Sequence, residues 1–377
     1  MREYMLVMLV AAAATYLLAT IAREVAMRIG AVAQVRDRDV HAIPIPYFGG
    51  IAMLGGLVTA FLVALNLPFL SRAQELLQDA GYVLLGGLVI CVVGVIDDVI
   101  ELDWITKLAG QLLAAGVVVI GGVQFLWLPL PGSSPLLSLD PSQAALLTVL
   151  VIVATSNAVN FVDGLDGLAA GIVGIGAAAF FSFAYLVSVV NNLDRGTPAA
   201  FLTVALVGVC LGILPHNFYP ARMFIGDAGA MLIGFILACS AITLTGNYPS
   251  VDIDRGIGGA SASLLPALLP LVLPFAVLLV PFLDMGLAVV RRTRAGRSPF
   301  APDKQHLHHR LLEIGHSHRR AVLLMYLWAA VVAGGTVMVS LFTGWQVLLG
   351  LGLMLMLALV LTFGLTWWRR DRSLLGG

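Results

Sequence analysis

"LLTVLVIVATSNAVNFVDGLDGLAAGIVGIGAAAFF", residues 146–181, sets two long apolar runs on either side of a short polar knot. A bilayer core asks for about 20 apolar residues per helix, and both runs approach that length. Inside the knot Asn157, Asn160, Asp163 and Asp166 recur every three residues, and Gly164 and Gly167 follow the two aspartates. Two such glycines do not suit a continuous helix. The stretch therefore predicts a helix end, a short exposed turn and a second span. Four polar groups in regular spacing beside lipid are costly, which marks the turn as a candidate site.

Outward from this stretch the whole chain reads the same way. Of its 377 residues 60% are hydrophobic and only 11% charged, and the mean hydropathy is +0.98, outside the range of soluble globular proteins. The fold class expected is an all-α integral membrane protein. Eleven apolar runs qualify as spans, near 5–22, 47–66, 80–96, 105–121, 143–160, 168–190, 199–215, 228–246, 264–289, 321–342 and 346–368. Between them no loop exceeds about 30 residues, so 1–377 reads as a single polytopic domain with one larger loop at 291–320. The segment "LWLPLPGSSPLLSLD", 126–140, rich in Pro and Gly, predicts an irregular or hairpin excursion.

Charge sets the orientation. The 21 basic and 21 acidic residues cancel, so net charge points to no polyanionic partner such as nucleic acid. Placed on alternate sides of the eleven spans, the Lys and Arg residues split seventeen to four. Basic loops stay in the cytoplasm, so the rich side, including Lys107, Arg222 and the eight basic residues between Arg291 and Arg320, is inside. This predicts an N-terminus outside, a cytoplasmic C-terminus, and a place in the cell inner membrane. Cys91, Cys210 and Cys239 each lie in an apolar run and read as packing residues.

With the sides assigned, acidic residues gather at cytoplasmic helix ends. Asp97 and Asp98 close the third span in "VIDDVIELDW", and adjacent carboxylates repel unless a cation or donor holds them. Lys107 opens the next span and can face the same pocket. In "NFYPARMFIGDAGAM", 217–231, Asp227 sits between glycines where the eighth span begins. Backbone N–H groups at that helix start could receive a phosphate, and the carboxylate could hold a metal bridging to it. The inside loop carries "SPFAPDKQHLHHRLL", 298–312, with His306, His308, His309 and Arg310. Basic neighbours and the lack of thiols favour a diphosphate clamp there over a transition-metal site. Oxygen ligands in the Asp163 turn suit a hard cation that keeps waters, Mg2+ or alternatively Mn2+.

These four elements, in this order and on one side of eleven spans, resemble the polyprenyl-phosphate N-acetylhexosamine-1-phosphate transferases over nearly the whole chain. Within that family "GRSPFAPDKQHLHHR", 296–310, is similar to the branch that uses UDP-N-acetylglucosamine to start O-antigen, teichoic acid or cell-wall linker synthesis. The phospho-MurNAc-pentapeptide branch is similar at "NAVNFVDGLDGL" but carries a different histidine motif. "HAIPIPYFGG", 41–50, resembles the family's H-x-x-P-x-P-x-x-G-G element, with Tyr47 where many members have a basic residue.

The resemblance implies a reaction in which polyprenyl (undecaprenyl) phosphate and UDP-GlcNAc give lipid-diphospho-GlcNAc and UMP. It implies Asp227 on the metal with Asn160 or Asp163 as a second ligand, and Asp97 and Asp98 orienting or deprotonating the lipid phosphate near Lys107. His306, His308, His309 and Arg310 would hold the diphosphate, Asp166 would lie close to the nucleotide, and Asn157 would face substrate. Direct attack and an aspartyl-phosphate on Asp227 both remain open, as does a homodimer. A secondary transporter is the reading from another class, but its site is expected near the bilayer midplane rather than at cytoplasmic helix ends.

Overall fold

The structure is a computed structural model that describes residues 1–33, 45–129, 136–190, 196–246, 317–342 and 344–364, with a few single positions between 272 and 296. Ten α-helices are defined among them. They are α1 (Arg2–Ile29), α2 (Gly49–Ala64), α3 (Gln74–Ile100), α4 (Trp104–Ile120), α5 (Pro141–Val162), α6 (Leu168–Val190), α7 (Thr197–Asn217), α8 (Gly226–Gly246), α9 (His318–Leu341) and α10 (Trp345–Leu359). In hydrocarbon a helix satisfies its own backbone, which is why runs of this composition adopt no other form.

Eight of these helices are long and apolar enough to cross a membrane, whereas α2 and α4 are shorter apolar helices. Ten of the eleven expected spans therefore coincide with helices, and the span at 264–289 lies outside the described residues apart from single positions. Two short antiparallel pairs interrupt the helices. β1 (Val32–Ala33) pairs with β2 (Ile45–Pro46), and β3 (Trp127–Pro129) pairs with β4 (Leu136–Ser138), the hairpin outcome of the segment at 126–140.

α8 lies at the centre, with its apolar stretch wholly buried among α2, α3, α5, α6 and α7. Helices in lipid gain little from apolar burial as such, so close backbone approach at small residues does the packing. A Cβ on Gly94 of α3 would come within 2.3 Å of Ala228 Cα, and one on Gly50 of α2 within 2.3 Å of Gly229 N. Those two approaches bring the C-terminal end of α3 and the start of α2 directly against the first turn of α8. At the periphery α1 packs on α2 and α7, while most of α10 faces outward.

Two helix starts are fixed by side chains. Asp103 caps α4, accepting from the N–H groups of Ile105 and Thr106 and from the Thr106 hydroxyl at 2.6 Å. Those bonds, the Thr106 hydroxyl first, hold its carboxyl below the usual range. Asp140 forms a capping box with Gln143 ahead of Pro141 at the start of α5.

Candidate active site

Four helices deliver polar side chains to one point. Lys107, from the first turn of α4, holds its Nζ 2.8 Å from Asp97 Oδ2 at the end of α3 and is also bonded to Asp227 Oδ2 in the first turn of α8. With its amide oriented to suit both neighbours, Asn160 of α5 donates to Asp227 Oδ1 at 3.0 Å and accepts from Lys107 Nζ at 3.1 Å. The side chain of Asp97 is 10% exposed and that of Asp227 is 35% exposed. Asp227 is thus the carboxylate that meets whatever enters, while Asp97 backs the ammonium from within. Asp97 is itself held by the Leu102 N–H, at 2.7 Å on Oδ1.

Asp98 is placed differently from its neighbour. Its carboxylate accepts from the backbone N–H of Asp227 at 2.8 Å and of Ala228 at 3.3 Å, capping α8 from another helix. The Gly229 N–H goes to the Ile225 carbonyl at 3.0 Å. The N–H groups that the sequence offers to a phosphate are therefore already taken. The reason is steric as well as electrostatic: a Cβ on Gly226, whose φ is +68°, would stand 2.4 Å from Asp98 Oδ2, so only glycine admits the carboxylate there.

Asp163 is the C-cap of α5, and Gly167, with φ +76°, turns the chain into α6. The sequence predicts an exposed turn here, and the structure gives one in part: Gly164 is exposed and Asp163 half-buried, while Leu165 and Asp166 are only 4% and 3% exposed. Asp166 Oδ2 accepts from the Ala221 N–H at 2.9 Å, Gly167 N donates to Asn217 Oδ1 at 3.1 Å, and the Tyr326 hydroxyl of α9 donates to the Gly167 carbonyl. Glycine turns expose backbone groups that must be paired, and these partners from α7, α9 and the loop after α7 close over them. Loss of water around the Asp163 carboxyl, together with the negative charge of Asp227, Asp98 and Asp166, raises it well above the ordinary carboxylate range.

The "YFGG" part of the early motif is brought here too. Gly49 N and Gly50 N donate to the Phe224 and Ile225 carbonyls at 3.1 and 3.0 Å, and Phe224 N donates to the Pro46 carbonyl at 2.9 Å. Tyr47 stands across from the Phe224 ring, with centroids 6.2 Å apart. The two glycines are required because the backbone of "FIGD" lies against them: a Cβ on Gly49 would be 2.7 Å from Ile225 Cα. His306, His308, His309 and Arg310 lie outside the described residues. Asn157 sits one turn below Asn160 and is bonded to Gln111 rather than turned to the opening.

The arrangement of one ammonium among three oxygen-bearing side chains suits polyanion chemistry at a helix-end cluster. A family profile described as Glycosyl transferase family 4 matches residues 80–245, which take in the cluster from Asp97 to Asp227. The decaprenyl-phosphate N-acetylglucosaminephosphotransferase of Mycolicibacterium smegmatis is 46% identical over 369 residues, 96% of this chain and 88% of that protein. The chain belongs to the polyprenyl-phosphate N-acetylhexosamine-1-phosphate transferase family. Other relatives of the transferase are the Mycobacterium tuberculosis protein of the same name as the M. smegmatis one, 48% identical over 342 residues, covering 89% of this chain and 82% of that one. The probable undecaprenyl-phosphate N-acetylglucosaminyl 1-phosphate transferase of Bacillus subtilis is 34% identical over 331 residues, covering 85% and 83%.

The transferase also holds residues that sequence reading passed over. Gln111, Asn217 and Tyr326 each bond to the turn or to the cluster's supporting layer. Gln111 had a signal, since it falls four residues after Lys107 in an apolar helix. Asn217 and Tyr326 had none, because their partners are 50 and 159 residues away.

Proposed function

We propose that this protein transfers N-acetylglucosamine 1-phosphate from UDP-GlcNAc to a polyprenyl phosphate at the cytoplasmic face of the membrane, releasing UMP. The observation that carries the reading is Lys107 held between Asp97 and Asp227 with Asn160 closing the set. The names of the relatives support the sugar and the lipid acceptor. The seventeen-to-four split of basic residues supports a cytoplasmic site.

A lipid phosphate is largely dianionic near neutral pH, since its second pKa is about 6, so a strong base is not needed. Its oxygen attacks the phosphorus that bears the sugar, a new P–O bond forms, and the bond to UMP breaks with the electron pair leaving on UMP. Two anions must meet and charge must be accepted on the leaving group. Lys107 supplies positive charge at that point, Asp97 fixes its position, and Asn160 orients Asp227. His306, His308, His309 and Arg310 would take the diphosphate, and Asp166 would hold the floor beneath the nucleotide.

The donor set fits a hard cation. Asp227 and Asp163 offer carboxylate oxygens and Asn160 its amide oxygen, and the raised Asp163 carboxyl is consistent with a place short of positive charge. Among the described residues no group of three acidic, His or Cys side chains is placed to hold an ion. Bound at Asp227, Asn160 and Asp163, Mg2+ would neutralise charge on the diphosphate.

The test is release of UMP by detergent-purified protein given UDP-GlcNAc with decaprenyl or undecaprenyl phosphate, with and without Mg2+, and UDP-MurNAc-pentapeptide in parallel. Lipid-dependent release from UDP-GlcNAc alone is expected. Release from the MurNAc nucleotide alone would move the protein to the neighbouring branch.

A further inference from the structure

One turn deeper than the reacting cluster lies a second polar layer on three of its four helices, α4, α5 and α8. Gln111 of α4 is 1% exposed. Its amide and that of Asn157 on α5 bond reciprocally, Asn157 Nδ2 donating to Gln111 Oε1 at 2.7 Å and Gln111 Nε2 donating to Asn157 Oδ1 at 3.2 Å. Gln111 Nε2 also lies 3.2 Å from Met231 Sδ on α8, and Asn157 Nδ2 returns a bond to its own helix at the Val153 carbonyl, 2.8 Å away.

The two layers are in register. Gln111 follows Lys107 by four residues, Asn157 precedes Asn160 by three, and Met231 follows Asp227 by four, so each lower residue lies under an upper one on the same face of its helix. Apolar contacts between helices in lipid tolerate small rotations, but a reciprocal amide pair does not. Sliding one helix by a residue moves it about 1.5 Å and turns it about 100°, which breaks both bonds. A Leu in place of Gln111 could fill the space, yet it would take the donor from Asn157 Oδ1, leave Asn157 Nδ2 with the Val153 carbonyl, and leave the rotation of α4 unspecified.

We infer that Gln111 is a positioning residue for the transfer reaction, fixing through Asn157 and Met231 the rotation of the helices that aim Lys107, Asn160 and Asp227 at one point. The inference rests on the reading of those three side chains as the reaction centre. Gln111 itself reaches no substrate.

Gln111→Leu, the double variant Gln111→Leu/Asn157→Leu and Asp227→Asn separate the possibilities when kcat, donor KM and thermal midpoint are measured in detergent. Gln111→Leu should lower kcat about 10–100-fold, the range seen when the support of a reacting group is removed, with donor KM nearly unchanged. The double variant removes both polar ends, so its thermal midpoint should return toward wild type while kcat stays low. Wild-type kcat in the double variant, or an effect on KM alone, would overturn the positioning role. Failure of the double variant to fold would make the pair a folding element and overturn it equally. Wild-type kcat in the Gln111 variants beside a dead Asp227→Asn refutes this inference alone, whereas an active Asp227→Asn removes the reaction centre itself.

Discussion

The Asp98 carboxylate accepts from the backbone N–H of Asp227 at 2.8 Å, so one member of an adjacent acidic pair holds the helix that presents the Asp227 carboxylate, while the other, Asp97, holds the lysine. Neighbours in sequence, the two aspartates point at different partners because successive helix positions diverge by about 100°.

Asp98→Ala should therefore destabilise the protein as well as inactivate it. Two backbone donors lose their acceptor, each costing about 1–3 kcal/mol if left unpaired, and the thermal midpoint in detergent should fall clearly. Asp97→Asn, which keeps a side-chain oxygen for Leu102 N–H, should lose activity with a smaller shift. Equal midpoints in the two variants would contradict the division of roles.

Lys107→Met should abolish transfer while leaving the chain in membranes, because it leaves Asp97 and Asp227 facing each other without the ammonium between them. Lys107→Arg should not restore the rate. A planar guanidinium is a fork rather than a point charge, and the space between the two carboxylates is shaped around an ammonium. Initial rates of UMP release, normalised to folded protein, decide this.

Glycine replacements should divide sharply by what a methyl group would meet. Gly94→Ala and Gly50→Ala place a Cβ 2.3 Å from backbone atoms of α8, which cannot give way without moving Asp227. Overpacking of this kind costs about 1–3 kcal/mol, and activity should fall with stability. Gly116→Ala, in α4 with nothing within 4 Å, should instead be neutral or stabilise the helix by up to about 1 kcal/mol. Thermal melts of the three variants side by side are sufficient.

Cation binding should release a proton. Asp163 is raised by the loss of water and by Asp227, Asp98 and Asp166, so in metal-free protein its carboxyl stays protonated above the ordinary carboxylate range. The folded state then binds more protons than the unfolded one between the two pKa values, and metal-free stability should decline as pH rises through that window. A cation prefers the carboxylate, so Mg2+ affinity should strengthen with rising pH. Calorimetric titration in two buffers of different ionisation enthalpy reads the released proton directly, and Asp163→Asn should abolish the difference between buffers.

Much of the architecture was legible in the chain because its determinants are local. A run of about 20 apolar residues has one stable form in lipid, and the runs at 80–96, 143–160, 199–215 and 228–246 fall within α3, α5, α7 and α8. The polar residues at those helix ends could be found for the same reason, since each is a local exception to an apolar pattern. The second half of the turn, Leu165 to Gly167, is covered where the sequence predicts exposure, because nothing near it in sequence announces Asn217, Phe218 or Tyr326.

Sequence by itself thus determined which of the described segments are helices and which polar residues are out of place in lipid. Tertiary structure alone decided which of them meet: that Lys107 lies between Asp97 and Asp227, that Asp98 caps α8, and that Asn157 pairs with Gln111. Hydropathy acts residue by residue along the chain, whereas these contacts join segments from 10 to 130 residues apart and exist only once glycines at the crossings have let the helix backbones touch.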